Sequence, residues 1–254
     1  MSAPGDEAMA GRVDEVADAR GSADCGTLLD GASASLDVNP FVGEGGSYAS
    51  VRPAYPGEAV AALLDAAQAS SVSPRAADIG AGTGKMSELL ARAGAVVDAV
   101  EPSRAMRAQA SSIPGVTWHA SVAEETTLPH GAFDIVVFAQ SWHWVDPERA
   151  GVEAARILAP GGVLGIVWNQ MDVSIPWVHR LTRIMRSGDV HRHDRPPTPG
   201  GGFGPMRLTQ VAWEDVMTPE QILTLGTTRS SYIRSSPAGR ERMQANLRWY
   251  LYEH

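Results

Sequence analysis

Apolar and polar residues alternate along this chain in blocks whose period changes from one block to the next. Val60, Leu63, Leu64 and Ala67 fall at i, i+3, i+4 and i+7, one face of a helix predicted over Glu58–Ser70. A short apolar run at Arg75–Ile79 predicts a strand, Lys85–Ala93 a helix closed by Gly94, and Val96–Val100 a second strand ended by Glu101. Ser103–Ala110 reads as a helix with Ser103 as its cap, and Val116–Ala120 as a third strand. Phe133–Ala139 is almost continuously apolar, as expected of a parallel strand covered on both faces. Pro147–Leu158 reads as a helix stopped by Pro160-Gly161-Gly162, and Val163–Trp168 as a fifth strand. Strands alternating with helices predict an α/β architecture around a parallel sheet.

Beyond Asn169 the alternation weakens. Pro176–Arg186 reads as a helix, Ser187–Gly204 as a polar loop, Leu208–Trp213 as a sixth strand, Pro219–Leu225 as a short helix and Arg240–Tyr252 as a longer one. Residues 1–46 are rich in Ala, Gly, Ser and Asp, and bury too little to offset their ordering entropy. They are expected to be a flexible extension. Residues 47–254 then form the domain, with its core at 72–170 and cap or substrate elements at 47–71 and 171–206. The prolines of Tyr48–Pro56 hold that stretch extended.

Composition narrows the function. A net charge of −8 with no basic run argues against nucleic acid as a partner. Lys85 is the only lysine and Cys25 the only cysteine, so no internal disulfide can form, and the cytoplasm is the expected location. No apolar run approaches the ~20 residues of a membrane span, and the first residues lack a charged-then-apolar signal pattern. His191 and His193 beside Asp194 form an H-x-H in a polar loop; they are expected to be solvated, with no metal bound, as are Arg192 and Arg195, which could otherwise grip an acid.

The chemistry concentrates at Ala76–Lys85, A-A-D-I-G-A-G-T-G-K. A strand feeding a glycine turn and a helix start gathers backbone N–H groups at one point, and glycines let a ligand lie against bare backbone. A dinucleotide fingerprint needs G-x-G-x-x-G, and the spacing here is G-x-G-x-G at Gly80, Gly82 and Gly84. A phosphate loop needs Ser or Thr after its lysine, where this chain has Met86. Asp78, just before the turn, suits an ammonium or a hydroxyl. Glu101 lies 19 positions after Gly82 at a strand end, placed to accept both hydroxyls of a ribose. Gln140–Trp144, Q-S-W-H-W, ends the fourth strand. There Trp142 and Trp144, with Trp168-Asn169 at the fifth, could wall an acceptor pocket, and His143 could take a proton.

The string D-x-G-x-G-x-G resembles the first motif of the class I S-adenosylmethionine (SAM)-dependent methyltransferases. Y-x-x-x-R-P-x-Y-P (Tyr48–Pro56), V-E-P-S (Val100–Ser103), F-D-I-V (Phe133–Val136), W-H-W (Trp142–Trp144), L-A-P-G-G (Leu158–Gly162) and W-N (Trp168-Asn169) resemble the small-molecule type, in particular its trans-aconitate methyltransferase-like branch. The resemblance implies a Rossmann-like, doubly wound, mostly parallel sheet of seven strands with SAM across its carboxyl edge. It implies methyl transfer by in-line displacement to a small-molecule acceptor at O, N, C or a carboxylate, leaving S-adenosylhomocysteine (SAH). Tyr48, Arg52, Asp78, Gly80, Gly82, Gly84, Glu101, Pro102, Met106, Ala123, Glu124 and Gln140 become cofactor-binding positions. Tyr48, Arg52 and Tyr55 border the site as part of a lid, with Tyr55 on the acceptor side beside Trp142, Trp144, Trp168 and Asn169. Ala120–Leu128 resembles the adenine loop, with Val122 where many relatives carry an aspartate. Relatives usually add a strand after the last long helix, whereas this chain reaches His254 with that helix still running. The usual last strand is therefore expected to be missing or the chain shortened, and an exposed sheet edge would favour a homodimer. A non-catalytic SAM- or nucleotide-binding module, or an NAD-linked oxidoreductase, remain as alternatives.

Overall fold

The helix after the first strand starts where it does because Gly84 takes a left-handed conformation (φ 85°) that few other residues adopt. That junction belongs to a computed structural model describing residues 52–67, 73–110, 112–186 and 196–253. The elements are α1 (Gly57–Ala67), β1 (Arg75–Ile79), α2 (Lys85–Arg92), β2 (Val96–Val100), α3 (Arg104–Gln109), β3 (Val116–His119), β4 (Phe133–Ala139), a 3-10 turn (Trp142–Trp144), α4 (Pro147–Ile157), β5 (Leu158–Val167), α5 (Pro176–Met185), α6 (Pro219–Thr227), α7 (Ser230–Ile233) and α8 (Pro237–Tyr252). Caps set several of these boundaries. Ser103 accepts from Met106 N at 3.3 Å. Asp146 accepts from Glu148 N and Arg149 N ahead of Pro147, and Thr218 forms a reciprocal capping box with Gln221.

Among the described residues the sheet has five strands in the order β3-β2-β1-β4-β5, with every pairing parallel. One face carries Ala77, Ile79, Val100, Val136 and Phe138, packed with Ala154 and Ile157 of α4. The other carries Ala76, Val97, Ile135 and Val137, packed with Val60 and Leu63 of α1 and Met86 and Leu90 of α2. This double cover is why β4 reads as an unbroken apolar run. A third cluster, Leu181, Met185, Leu223, Met243 and Leu247, joins α5, α6 and α8.

Three expectations need correction. The sixth strand at Leu208–Trp213 does not form; that stretch is irregular, with Leu208 exposed. No strand follows β5 among the described residues, so the seven-stranded sheet is a five-stranded one here. β5 begins at Leu158 rather than Val163. Phe133 pairs with Leu158 and Ile135 with Val163, so Ala159–Gly162 is extra chain between two paired stretches. The expected flexible extension, Tyr48, and the histidines and arginines at 191–195 lie outside the described residues. No described helix is long and apolar enough to cross a membrane.

Candidate active site

The strand order reverses between β1 and β4, so a crevice opens beyond their carboxyl ends, where ligands of open α/β sheets bind. The glycine loop leaves β1 and the Gln140–Trp144 turn leaves β4, and the two are locked together. Ser141 Oγ donates to the Ile79 carbonyl at 2.6 Å. Gly80 (φ 69°) lies so close to Ser141 that a Cβ there would stand 2.5 Å from the serine's own. Gly82 (φ 58°) is different: a Cβ added there meets nothing within 4 Å. At that point the loop turns bare backbone towards open space.

The N–H groups of the loop are not the free cradle that the strand–turn–helix pattern suggests. Gly80 N and Ala81 N donate to the Val100 carbonyl, and Gly84 N donates to the Ala81 carbonyl. Gly82 N donates to Glu101 Oε2 at 2.9 Å. Glu101 Oε1 accepts from Ser103 N at 2.8 Å. The Glu101 carboxylate, 5% exposed, thus ties β2 to the loop and keeps a lone pair on each oxygen. Burial pushes its pKa above the ordinary carboxylate value, against the opposing pull of the Ser103 and Gly82 N–H groups and of Arg107.

Asp78 sits behind the loop, 0% exposed. Its Oδ2 accepts from Ser87 Oγ at 2.6 Å, and the Ser87 backbone N–H in the first turn of α2 also points at it. Oδ1 has no hydrogen-bond partner among the described residues. Burial, the dominant cause, raises its pKa to about 6 despite the Ser87 bonds. The sequence points to Asp78 as a partner for a ligand ammonium; in the folded chain its carboxyl lies behind the loop with Oδ1 unpartnered among the described residues. Asp78 reaches no surface, and its bonds run to Ser87 in the first turn of the helix behind the glycines.

The other candidate residues divide by burial and partner. Met106 and Ala123 are buried, and Ala123 packs with Ile79, Val100 and Trp142, which puts the 120–128 loop beside the crevice. Pro102 is exposed next to Glu101. Glu124 Oε1 accepts from Asp146 N at 2.9 Å, a tie to the start of α4. Gln140 takes a left-handed conformation (φ 58°), and its Nε2 donates to the Asn169 carbonyl at 2.9 Å. Asn169 Nδ2 in turn donates to the Ala54 carbonyl at 2.7 Å. Arg52 Nη2 donates to the Thr228 carbonyl at 2.7 Å, and Tyr55 packs near the α1–α2 face. Trp142 departs from the expected pocket wall. It is 6% exposed and packs edge-on against Phe138, ring centroids 4.8 Å apart, as part of the core. Trp144 is exposed, with His143 tilted against it at 4.8 Å and the Arg234 guanidinium 5.7 Å from its ring centroid. Trp168 packs at the border of the α4-side core.

Sequence reasoning missed Lys85 and Ser141 as site-builders. Lys85 Nζ donates to the Arg52 carbonyl at 2.5 Å, holding the strap 52–56 to the glycine loop. Burial lowers its pKa, partly offset by Asp215 and Glu88. The only lysine in the chain, directly after the last glycine, was the available signal. Ser141 had none, because its partner is 62 residues away.

Residues 77–166 match the family model described as a methyltransferase domain. An uncharacterized methyltransferase of Mycobacterium tuberculosis is 39% identical over 211 residues, covering 82% of this chain and 84% of that protein. The chain belongs to the methyltransferase family. An uncharacterized methyltransferase-like protein of Schizosaccharomyces pombe is 28% identical across 84% of this methyltransferase and 86% of its own length. A solved structure, a putative type II methyltransferase from Anaeromyxobacter dehalogenans, superposes with a TM-score of 0.58 at 26% identity, covering 79% of this chain and 88% of that one. The fold of this methyltransferase is the Rossmann-like class I fold, and the family is SAM-dependent.

Proposed function

We propose that this methyltransferase moves a methyl group from SAM to a small-molecule acceptor by in-line displacement. The observation that carries the reading is the Gly82 N–H held by the Glu101 carboxylate beside open space at Gly82. A pyrophosphate would meet a carboxylate there, and a loop whose N–H groups at Gly80, Ala81, Gly82 and Gly84 already donate elsewhere. A neutral ribose attached to a cationic amino acid meets neither conflict. The remaining Glu101 lone pairs suit ribose hydroxyls, and the bare backbone at Gly80 and Gly82 suits the close passage of the homocysteine part. Ala123, Glu124, Pro102 and Met106 bracket the base, while Arg52 and Gln140 complete the cofactor side; Tyr48 is a candidate by its sequence motif alone. Tyr55, Trp144, Trp168 and Asn169 border the acceptor, with Trp142 behind them.

Bound SAM supplies a methyl group already activated by its sulfonium. The work left to the chain is alignment of the acceptor and exclusion of water. His143, exposed beside Trp144, accepts the proton of a hydroxyl, amine or carbon-acid acceptor. A carboxylate acceptor has no such proton to give. Calorimetry with SAM, SAH and NAD tests the cofactor: the two sulfur nucleosides bind and NAD does not, and tight NAD binding with no response to SAH overturns the reading. Full turnover by His143→Ala with a protonated acceptor removes the base role.

A further inference from the structure

The loop after β3 is held from below by one helix. Glu153 of α4 is 8% exposed, and its Oε1 accepts from Thr126 N at 2.8 Å and from Thr126 Oγ1 at 2.5 Å. Arg156, one turn on, donates Nε to Glu153 Oε2 and Nη2 to Glu153 Oε1, each at 2.7 Å. The same Nη2 donates to the Leu128 carbonyl at 2.8 Å. Ser121 Oγ closes the loop on itself by donating to the Thr126 carbonyl at 2.8 Å, and Thr127 is held at φ 61°, costly for a β-branched residue. The chain between these anchors, Val122–Glu125, forms a tight antiparallel bridge with Ala123 buried beside Ile79 and Val100. Val122 offers no polar atom and is 47% exposed. With Glu124 Oε1 taken by Asp146 N, the part of the loop that the helix pair can set against a ligand's base is its main chain, whose position is fixed at Thr126 and Leu128.

We infer that Glu153 and Arg156 are specificity-determining positioning residues: through Thr126 and Leu128 they set the loop main chain that selects a 6-aminopurine over a 6-oxopurine in the nucleoside ligand. The inference rests on the proposed SAM site, since it presumes that the base lies against this loop. Neither residue touches the ligand. The ion pair, clamped by a charge-assisted bond on each side, gives the backbone carbonyls and N–H groups one geometry, and a carbonyl meets a 6-amino donor but repels a 6-oxo acceptor.

The test measures binding of SAH and of its hypoxanthine counterpart, S-inosylhomocysteine, to the full chain and its variants by calorimetry. The wild type prefers SAH by about tenfold or more, the size of one well-made hydrogen bond. Glu153→Ala weakens SAH about tenfold and brings the preference close to one, while Glu153→Gln, which keeps an acceptor for Thr126, retains most of the preference. Thr126→Val, which keeps the N–H bond but loses the hydroxyl, falls between them and serves where Glu153→Ala does not fold. Unchanged preference in Glu153→Ala, or in Thr126→Val when only that variant folds, overturns the inference, as does a wild type that binds both nucleosides equally. A wild type that binds neither instead removes the cofactor reading on which the inference stands.

Discussion

Two carboxylates are buried on opposite sides of the sheet, and they are built in opposite ways. Asp78 lies under the glycine loop with one oxygen on Ser87 and the other without a partner among the described residues, and its pKa is raised to about 6. Glu153 lies under the 120–128 loop. Burial pushes its pKa up, but the Arg156 and Thr126 hydrogen bonds outweigh that and hold it below the ordinary value. Glu153 is a finished structural joint. Asp78 is an unfinished one, a buried acid with an unpartnered oxygen that is kept at a cost to stability. The difference separates a carboxylate whose hydrogen bonds are complete from one that keeps an oxygen unpaired among the described residues.

The largest test of this contrast is its pH dependence. Asp78 titrates higher in the folded chain (about 6) than in the unfolded one (3.8), so its contribution to stability is full below about 4 and is lost as pH rises through 6. Between pH 4 and 7 the unfolding free energy of the wild type, measured relative to Asp78→Asn, should fall by about 2 kcal/mol. A difference that is flat with pH breaks the contrast from one side. Glu153 runs the other way: with its folded pKa lowered, its contribution is present above the unfolded value and is lost as pH falls through the folded one.

Next in size is Glu153→Ala, which strands the two Thr126 donors and costs about 2 kcal/mol in urea unfolding, with Glu153→Gln recovering part of it. A neutral Glu153→Ala would mean the joint is not holding the loop. Gly82→Ala costs about 1 kcal/mol of backbone strain at φ 58° with no steric clash, so the variant folds but loses SAH affinity in calorimetry. The matching Gly80→Ala variant must also displace Ser141 and is expected to be the less stable of the two. The smallest effect is Lys85→Met, a loss of about 0.5–1 kcal/mol, seen as faster proteolysis near the strap 52–56.

Four of the five strands were legible in the sequence, the half-exposed edge strand β3 to within a residue and the doubly covered ones in full. β1, β2 and β4 occupy the spans that their apolar runs indicate, with Gly80 after β1 and Glu101-Pro102 after β2 marking two of the ends. β5 was half legible, because Pro160-Gly161-Gly162 reads as a stop whereas the chain only bulges there and resumes pairing at Val163. Leu208–Trp213 shows how alternation can mislead: it indicates a face that could be buried, not a neighbour that offers to pair. In the site, the glycine loop and Glu101 announce themselves by local spacing. Trp142 did not, since nothing local tells a core aromatic from a pocket aromatic. The Thr126–Glu153 and Lys85–Arg52 joints span 27 and 33 residues, and only the folded sheet brings their ends together.

Lys85 has one more consequence. Because no other side-chain amine exists in the sequence, an acylating reagent has a single internal target, and it sits at the hinge between strap and loop. Capping that nitrogen neutralises it and takes away donors that hold the Arg52 carbonyl. The rate of its modification becomes a built-in gauge of how often the strap lifts, readable on the one internal peptide that carries Lys85 and slowed by any ligand that seals the crevice beneath.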